Sequence, residues 1–238
     1  MLEARDLVKT FGRLRAVDGF SMDIEPGVVK ALIGPNGAGK TTFVNLVTGV
    51  LRLDSGRIRL NGACIKSLPP YTRARLGIAR TYQIPRPYPN LTVLENVLVS
   101  ALFSAGQKGE EAVQAAEEAL KFVGLRGVAE RLASELNAEQ QKLLDFARAV
   151  AARPKYILID EIGAGLSPEE LDTLATKVRS LAKGGMGVLY IGHIMKMVRS
   201  VADWVVVMNE GRRVAEGTYD DIAANEEVIK IYLGERRA

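Results

Sequence analysis

At 238 residues, with 47% hydrophobic and 25% charged side chains, the chain has the composition of a globular protein with a sizeable core, as one large domain or one domain with a subdomain. Its net charge of +4 is scattered without a Lys/Arg block, which excludes a polybasic tract and predicts a solvated surface with no nucleic-acid partner. A single cysteine, Cys64, excludes an intramolecular disulfide and a thiolate metal cluster. The N-terminal MLEARDLVKTFG carries charges where a signal peptide needs an apolar core, and no apolar run approaches the ~18 residues of a spanning helix, so the expectation is a cytosolic chain.

In chain order, residues 28–33 (VVKALI) are mostly apolar and end in a glycine-rich turn, which predicts a buried strand. KTTFVNLVTGV follows as a short helix closed near Gly49. SGRIRLNGACI alternates around Asn61-Gly62 and reads as a hairpin. From Pro69 to Ala79 the pattern is helical. IPRPYPN, residues 84–90, has three prolines in seven residues and predicts a stiff loop. LTVLENVLVSALF resumes helix, and EEAVQAAEEALKFVGL places Val113, Ala116, Leu120 and Val123 on one face, so that roughly residues 70–145 read as helical between two strand-rich segments. YILID (156–160) and GVLYIG (187–192) are two further buried strands, and WVVVMNEGRRVAEG has a strand–turn–strand pattern. Strands alternating with helices predict an α/β fold with a mainly parallel sheet. The predicted division is an α/β core at 1–82 and 153–238, with antiparallel strands near the N-terminus, and an inserted helical subdomain at 83–152.

GPNGAGKTT (34–42) matches G-x-x-x-x-G-K-[ST] in full, directly after a predicted strand and before a predicted helix. Gly34, Pro35, Asn36, Gly37, Ala38 and Gly39 form the phosphate loop, the glycines letting successive N–H groups point inward at a helix N-terminus. Lys40 reaches the β- and γ-phosphates, Thr41 offers its hydroxyl to Mg²⁺, and Thr42 completes the motif. YILIDE ends in two adjacent carboxylates: Asp160 is placed to hold Mg²⁺, and Glu161 to orient and deprotonate an attacking water. His193 is the only histidine, and its position after VLYIG fits a structural role as well as a functional one.

Together these motifs resemble the nucleotide-binding subunit of an ATP-binding-cassette (ABC) transporter over nearly the whole chain. The resemblance implies ATP and Mg²⁺ as ligands, with Phe11 stacking on adenine, Gln83 of RTYQ sensing Mg²⁺ and the γ-phosphate, Glu161 as the catalytic glutamate and His193 as the switch histidine. AGLSPEE is similar to the family's D-loop with Ser167 in place of the usual aspartate; Ile162, Gly163 and Ile194 also depart from the pattern. The segment GIARTYQIPRPYPNLTVLENVLV and the closing VIKIYLGE resemble the ATPase subunits of branched-chain amino-acid importers, with relatives serving urea or short amides.

The family's signature, similar to L-S-G-G-Q, closes over the partner subunit's γ-phosphate. Aligned through FARA and DE, that slot reads Leu136-Asn137-Ala138-Glu139-Gln140, without the serine and both glycines. As a helix start it is sound, since Asn137 caps with Gln140 in capping-box spacing and Glu139 gains ~0.3–1 kcal/mol from the helix dipole. As a phosphate grip it is poor, because a carboxylate ~4 Å from a phosphate charge costs on the order of 4 kcal/mol at an effective dielectric of 20. The resemblance thus implies a subunit that binds Mg-ATP with its own loop, keeps Asn137 and Gln140 as weak contacts to the partner's nucleotide, and sits on the inner face of the cell membrane. Its implied partners are a second ABC ATPase subunit (homo- or heterodimer), membrane permease subunits and, indirectly, a periplasmic or extracellular binding protein. The alternative of another class is a regulatory nucleotide-binding subunit with little catalysis of its own.

Overall fold

Two sheets and a set of helices follow from the alternation of buried runs with glycine-closed turns, in a computed structural model that describes residues 1–163 and 165–234. Ala164 of AGLSPEE and Glu235 of VIKIYLGE lie outside the described residues. The strands are β1 (Leu2–Phe11), β2 (Leu14–Ile24), β3 (Val29–Ile33), β4 (Ser55–Leu60), β5 (Ala63–Cys64), β6 (Ile78–Arg80), β7 (Tyr156–Asp160), β8 (Gly187–Ile191), β9 (Trp204–Asn209) and β10 (Arg212–Gly217). The helices are α1 (Lys40–Val47), α2 (Pro70–Arg75), α3 (Val93–Phe103), α4 (Gly109–Val123), α5 (Ala138–Ala151), α6 (Pro168–Lys183), α7 (Met195–Val201), α8 (Tyr219–Ala224) and α9 (Glu226–Gly234).

The smaller sheet is antiparallel in the order β2-β1-β4-β5, its last turn closed by Asn61 and Gly62, both at positive φ as a two-residue hairpin of that hand requires. The larger runs β10-β9-β3-β8-β7-β6, parallel except for β10. Side-chain alternation assigns its two faces. Leu32, Leu158 and Leu189 point with Phe20, Phe43 and Ile58 into the layer beneath the antiparallel sheet. Ala31, Ile157, Ile159 and Tyr190 point into the layer built with α5, α6 and α7. The strands β3, β8, β7 and β6 are neighbours, so the residues following their C-terminal ends meet along one edge, where open α/β sheets place ligands. No helix among the described residues is long and apolar enough to cross a membrane.

Buried Arg73 fixes the base of α1. Its Nη1 donates to Leu46 O (2.8 Å) and Val47 O (2.7 Å), Nε to Leu68 O (3.0 Å) and Nη2 to Lys66 O (2.9 Å), so a charge stands over carbonyls at the C-terminus of α1. The helix closes at Gly49, φ +80, as expected.

Three expectations are corrected. The helix from Pro69 stops at Arg75: Gly77 at φ +96 ends it, and Gly77 O accepts from the amides of Lys155 (2.8 Å) and Tyr156 (2.9 Å), which starts β6 and draws Ile78 and Ala79 into the sheet. The helical region between the strand-rich segments is accordingly interrupted by β6 and by the loop that follows it. On α4, Val113 is exposed. The buried face runs through Ala112, Ala115, Ala116, Ala119, Leu120 and Val123, so the helix packs closely through alanines against its neighbours.

Candidate functional site

The loop between β3 and α1 is shaped by glycines. Gly34, Gly37 and Gly39 have φ of +150, +80 and +105. A Cβ on Gly34 would fall 2.0 Å from Met208 O, and one on Gly39 2.2 Å from Ala16 O, so strand β9 and the returning strand β2 press against the loop backbone. Pro35 and Ala38 are buried while Asn36 and Gly37 are exposed. The loop is pinned by Ala38 N–H to Pro35 O (3.2 Å) and Gly211 N–H to Ala38 O (2.9 Å). Lys40 Nζ donates to Gly34 O (2.6 Å) and Pro35 O (2.8 Å), which holds the ammonium over the loop. Helix α1 starts at Gly39 with no side-chain cap and no acid in its first turn, so its leading amides are open to an anion; Thr41 and Thr42 are in that turn, Thr41 exposed.

Asp160, at the end of β7, is buried. Its backbone N–H donates to Thr81 Oγ1 (2.8 Å), and its Oδ2 has no hydrogen-bond partner, Arg80 Nη2 being 3.9 Å away. Burial first, offset by Arg80 and reinforced by Glu161, lifts this carboxyl to about 6. A buried carboxylate oxygen without a donor, together with an uncapped helix N-terminus and the Thr41 hydroxyl at the ends of neighbouring strands, fits a site for a divalent cation. Because the folded value lies above the ordinary 3.8, the charged form weakens the nucleotide-free fold: the favourable contribution is complete below about pH 4 and is lost as pH rises through 6. Asp160→Asn is therefore expected to stabilise the nucleotide-free chain by roughly 2 kcal/mol at pH 7 and by nothing near pH 4. Denaturant unfolding at the two pH values checks this; equal stabilisation at both would assign the effect to packing.

Glu161 follows in the left-handed region, φ +49, with its N–H donated to Ile191 O at 2.9 Å. That turn aims its carboxylate between two other groups: Gln83 Nε2 donates to Oε2 (2.9 Å), and His193 Nδ1 lies 3.3 Å from Oε1. Three residues predicted at separate places in the chain thus meet at one carboxylate, with Glu161 mostly buried and His193 mostly exposed.

The predicted signature forms the N-terminus of α5. Asn137 Oδ1 accepts from Gln140 N–H (2.8 Å) and Gln140 Oε1 accepts from Asn137 N–H (3.2 Å), the capping box expected from the spacing. Glu139 stands beside Glu170 at the start of α6, and burial, then Glu170, push its carboxyl up. Phe11 is exposed at the tip of the β1–β2 hairpin, with Lys9 Nζ 5.5 Å from its ring centre.

Sequence reasoning missed the groups that hold Gln83. Buried Asp145 on α5 accepts from Tyr82 N–H (2.6 Å); Arg148, a turn later, donates to Arg86 O (3.0 Å) and stacks on Tyr88. Asn96 of α3 accepts from Tyr88 N–H (2.8 Å), so the proline-rich loop is tied along its length. The available signal was a carboxylate inside the apolar face Leu144-Asp145-Phe146-Ala147.

A family model described as "ABC transporter" matches residues 17–164, and one described as "Branched-chain amino acid ATP-binding cassette transporter" matches 212–238. The high-affinity branched-chain amino acid transport ATP-binding protein BraF of Pseudomonas aeruginosa is 40% identical, over 99% of this chain and 98% of that protein. The corresponding protein LivG of Escherichia coli K12 is 36% identical at 99% and 98% coverage. Among solved structures, a nucleotide-free ATP-binding cassette from an ABC transporter superposes with a TM-score of 0.88 at 33% identity, covering 98% of each chain. The ADP conformation of an ATP-binding cassette of an ABC transporter superposes at 0.87 and 34%, again over 98% of each. The α/β fold with its phosphate loop, the matched family model and these relatives agree: the chain belongs to the ABC transporter family, as an ATPase subunit.

Proposed function

We propose that this chain binds and hydrolyses Mg-ATP to power a membrane importer of branched-chain amino acids, with a signature that grips its partner's nucleotide weakly. The observation that carries the catalytic reading is the meeting of Gln83 and His193 on the carboxylate of Glu161, beside the phosphate loop. Lys40 and the open amides of α1 take the phosphates, and Phe11 the adenine. Thr41, Asp160 and Gln83 would hold Mg²⁺, which would supply positive charge against the phosphates. Glu161 takes the proton of the attacking water, and His193 and Gln83 contact the γ-phosphate. The cargo follows from the relatives, BraF and LivG.

The two helix N-termini support opposite roles. That of α1 is uncapped and free of acids; that of α5 has spent the Gln140 amide on Asn137 and carries Glu139 beside Glu170. An acidic, self-capped helix start opposes a partner's γ-phosphate. This favours a heterodimer in which the composite site built on this chain's Lys40, Asp160, Glu161 and His193 and a partner's intact signature is the fast one. It also favours the second reading, a regulatory subunit with little turnover of its own. A cleft of about 270 Å³ bounded by Tyr71, Arg80, Tyr82, Ser100 and Asp145 adjoins the tied loop at 84–90, where Arg86, Tyr88 and Leu91 would receive a permease helix on the inner face of the membrane. A binding protein outside the membrane would deliver the cargo.

Glu139→Gly tests the weak signature. The purified parent chain is expected to bind Mg-ATP and turn it over slowly, and the variant to turn it over at least tenfold faster, in keeping with relief of a few kcal/mol of repulsion. A parent chain as fast as Glu139→Gly would show that the variant signature is tolerated.

A further inference from the structure

Tyr190 lies fully buried on β8, and its Oη has no hydrogen-bond partner. A hydroxyl taken from water without a partner is unfavourable, and phenylalanine would fill the same space without that loss. Three observations locate the oxygen. Tyr190 stands in register with Ile159, immediately before the two carboxylates that end β7. Glu161 N–H donates to Ile191 O, which ties the turn after β7 to the turn after β8 beside it. A Cβ built on Gly192 would fall 2.7 Å from Tyr190 Oη, so the hydroxyl fills the space that any larger residue would occupy directly before His193. Burial, then the charges of Glu161 and Asp160, hold the phenol protonated. It is a donor in a rigid setting, packed against Gly192 directly before His193, on the strand beside the one that ends at Asp160 and Glu161.

We propose that Tyr190 is a positioning residue of the ATPase site, whose hydroxyl donates to the Glu161 carboxylate when Gln83 or His193 leaves it for the nucleotide. The inference rests on the reading of Glu161 as the base. In the nucleotide-free arrangement the carboxylate is held by the Gln83 amide on one oxygen and faced by the His193 ring on the other. Both of these groups are assigned to the γ-phosphate, so either can be drawn from the carboxylate as nucleotide is engaged. A base left without donors turns freely about its side-chain bonds and is displaced from the attacking water. The Tyr190 hydroxyl is a donor that does not have to leave, because the nucleotide offers it nothing; it keeps the carboxylate aimed while leaving the other oxygen to accept the proton.

The test is single-turnover hydrolysis of Mg-ATP by the full chain in excess, which resolves slow rates, beside nucleotide titration and thermal unfolding. Tyr190→Phe is expected to slow hydrolysis roughly tenfold, the effect of losing a group that orients a reacting one. The Kd for Mg-ATP should stay within about twofold, and the Tm should be unchanged or higher, because the partnerless hydroxyl is gone. In a Glu161→Gln background the same substitution should add no further loss, since Tyr190 acts through Glu161. An unchanged rate, or equal loss in both backgrounds, overturns the proposal. So does a Tm several degrees lower, which would show that the hydroxyl is satisfied structurally by buried water. Undiminished hydrolysis by Glu161→Gln removes the reading of Glu161 itself. That outcome is distinct from failure of the proposal alone, in which Glu161→Gln is inactive and Tyr190→Phe is not.

Discussion

Glu161→Gln is expected to slow ATP hydrolysis by about 100- to 10,000-fold, the range of a lost general base, while Mg-ATP binding stays within a few-fold. The substitution is nearly isosteric, so the turn at φ +49 and the amide bond to Ile191 O are retained. The side-chain amide keeps one oxygen to accept from Gln83 but cannot take a proton from water. The groups proposed to bind phosphate, Lys40 and the α1 amides, are not touched by the change. Rapid-quench hydrolysis with a parallel nucleotide titration measures both quantities. A rate within tenfold of the parent would sink the assignment of Glu161; a lost affinity would instead show that its carboxylate organises the phosphate site.

Gly34→Ala is the second large effect, expected to abolish nucleotide binding and to destabilise the fold by about 3 kcal/mol or more. Two penalties combine. A φ of +150 is a backbone state that side chains rarely adopt, worth roughly 1–3 kcal/mol. The new Cβ would also stand 2.0 Å from Met208 O, a carbonyl of β9 held between β10 and β3 in the sheet. Relief requires the loop to move away from β9, which breaks the spacing of its inward-facing amides. Gly37→Ala is the control: φ is +80, but its Cβ meets nothing within 4 Å, so only the conformational strain of roughly 1–2 kcal/mol remains. Calorimetric unfolding and nucleotide titration of both variants separate collision from strain. Equal losses would mean that positive φ alone accounts for both.

The parts of the fold that were legible share one property. Strands β3, β7, β8 and β9 are buried apolar runs closed by glycine or charge, and such runs announce themselves without long-range information. Strand β6 does not. Ile78-Ala79-Arg80 continues a helical pattern, and what makes it a strand is Lys155 and Tyr156, 78 and 79 residues beyond Gly77, bonding to Gly77 O. The α4 face was misread by one residue because alanine carries no pattern: Val113 is the conspicuous apolar side chain, and it is the exposed one. At the site, the phosphate loop and Asp160 could be read from spacing, whereas Gln83 and His193 gained a role only through family resemblance. Tyr190 stayed hidden because a run such as VLYIG does not reveal which face each member takes, nor that Gly192 leaves room for a hydroxyl.

Helix α5 has a mechanical consequence. Asn137 stands at its start, and Asp145 and Arg148 lie eight and eleven residues further on, holding Tyr82 and Arg86 on either side of Gln83. At 1.5 Å per residue, Asn137 and Asp145 are about 12 Å apart along a single unbroken rod. A tilt of about 5° at the Asp145 end displaces Asn137 by about 1 Å, enough to make or break a hydrogen bond. The segment proposed to feel this chain's own nucleotide and the edge proposed to face a neighbouring subunit are therefore geared to one shaft, so that a shift of one turns the other.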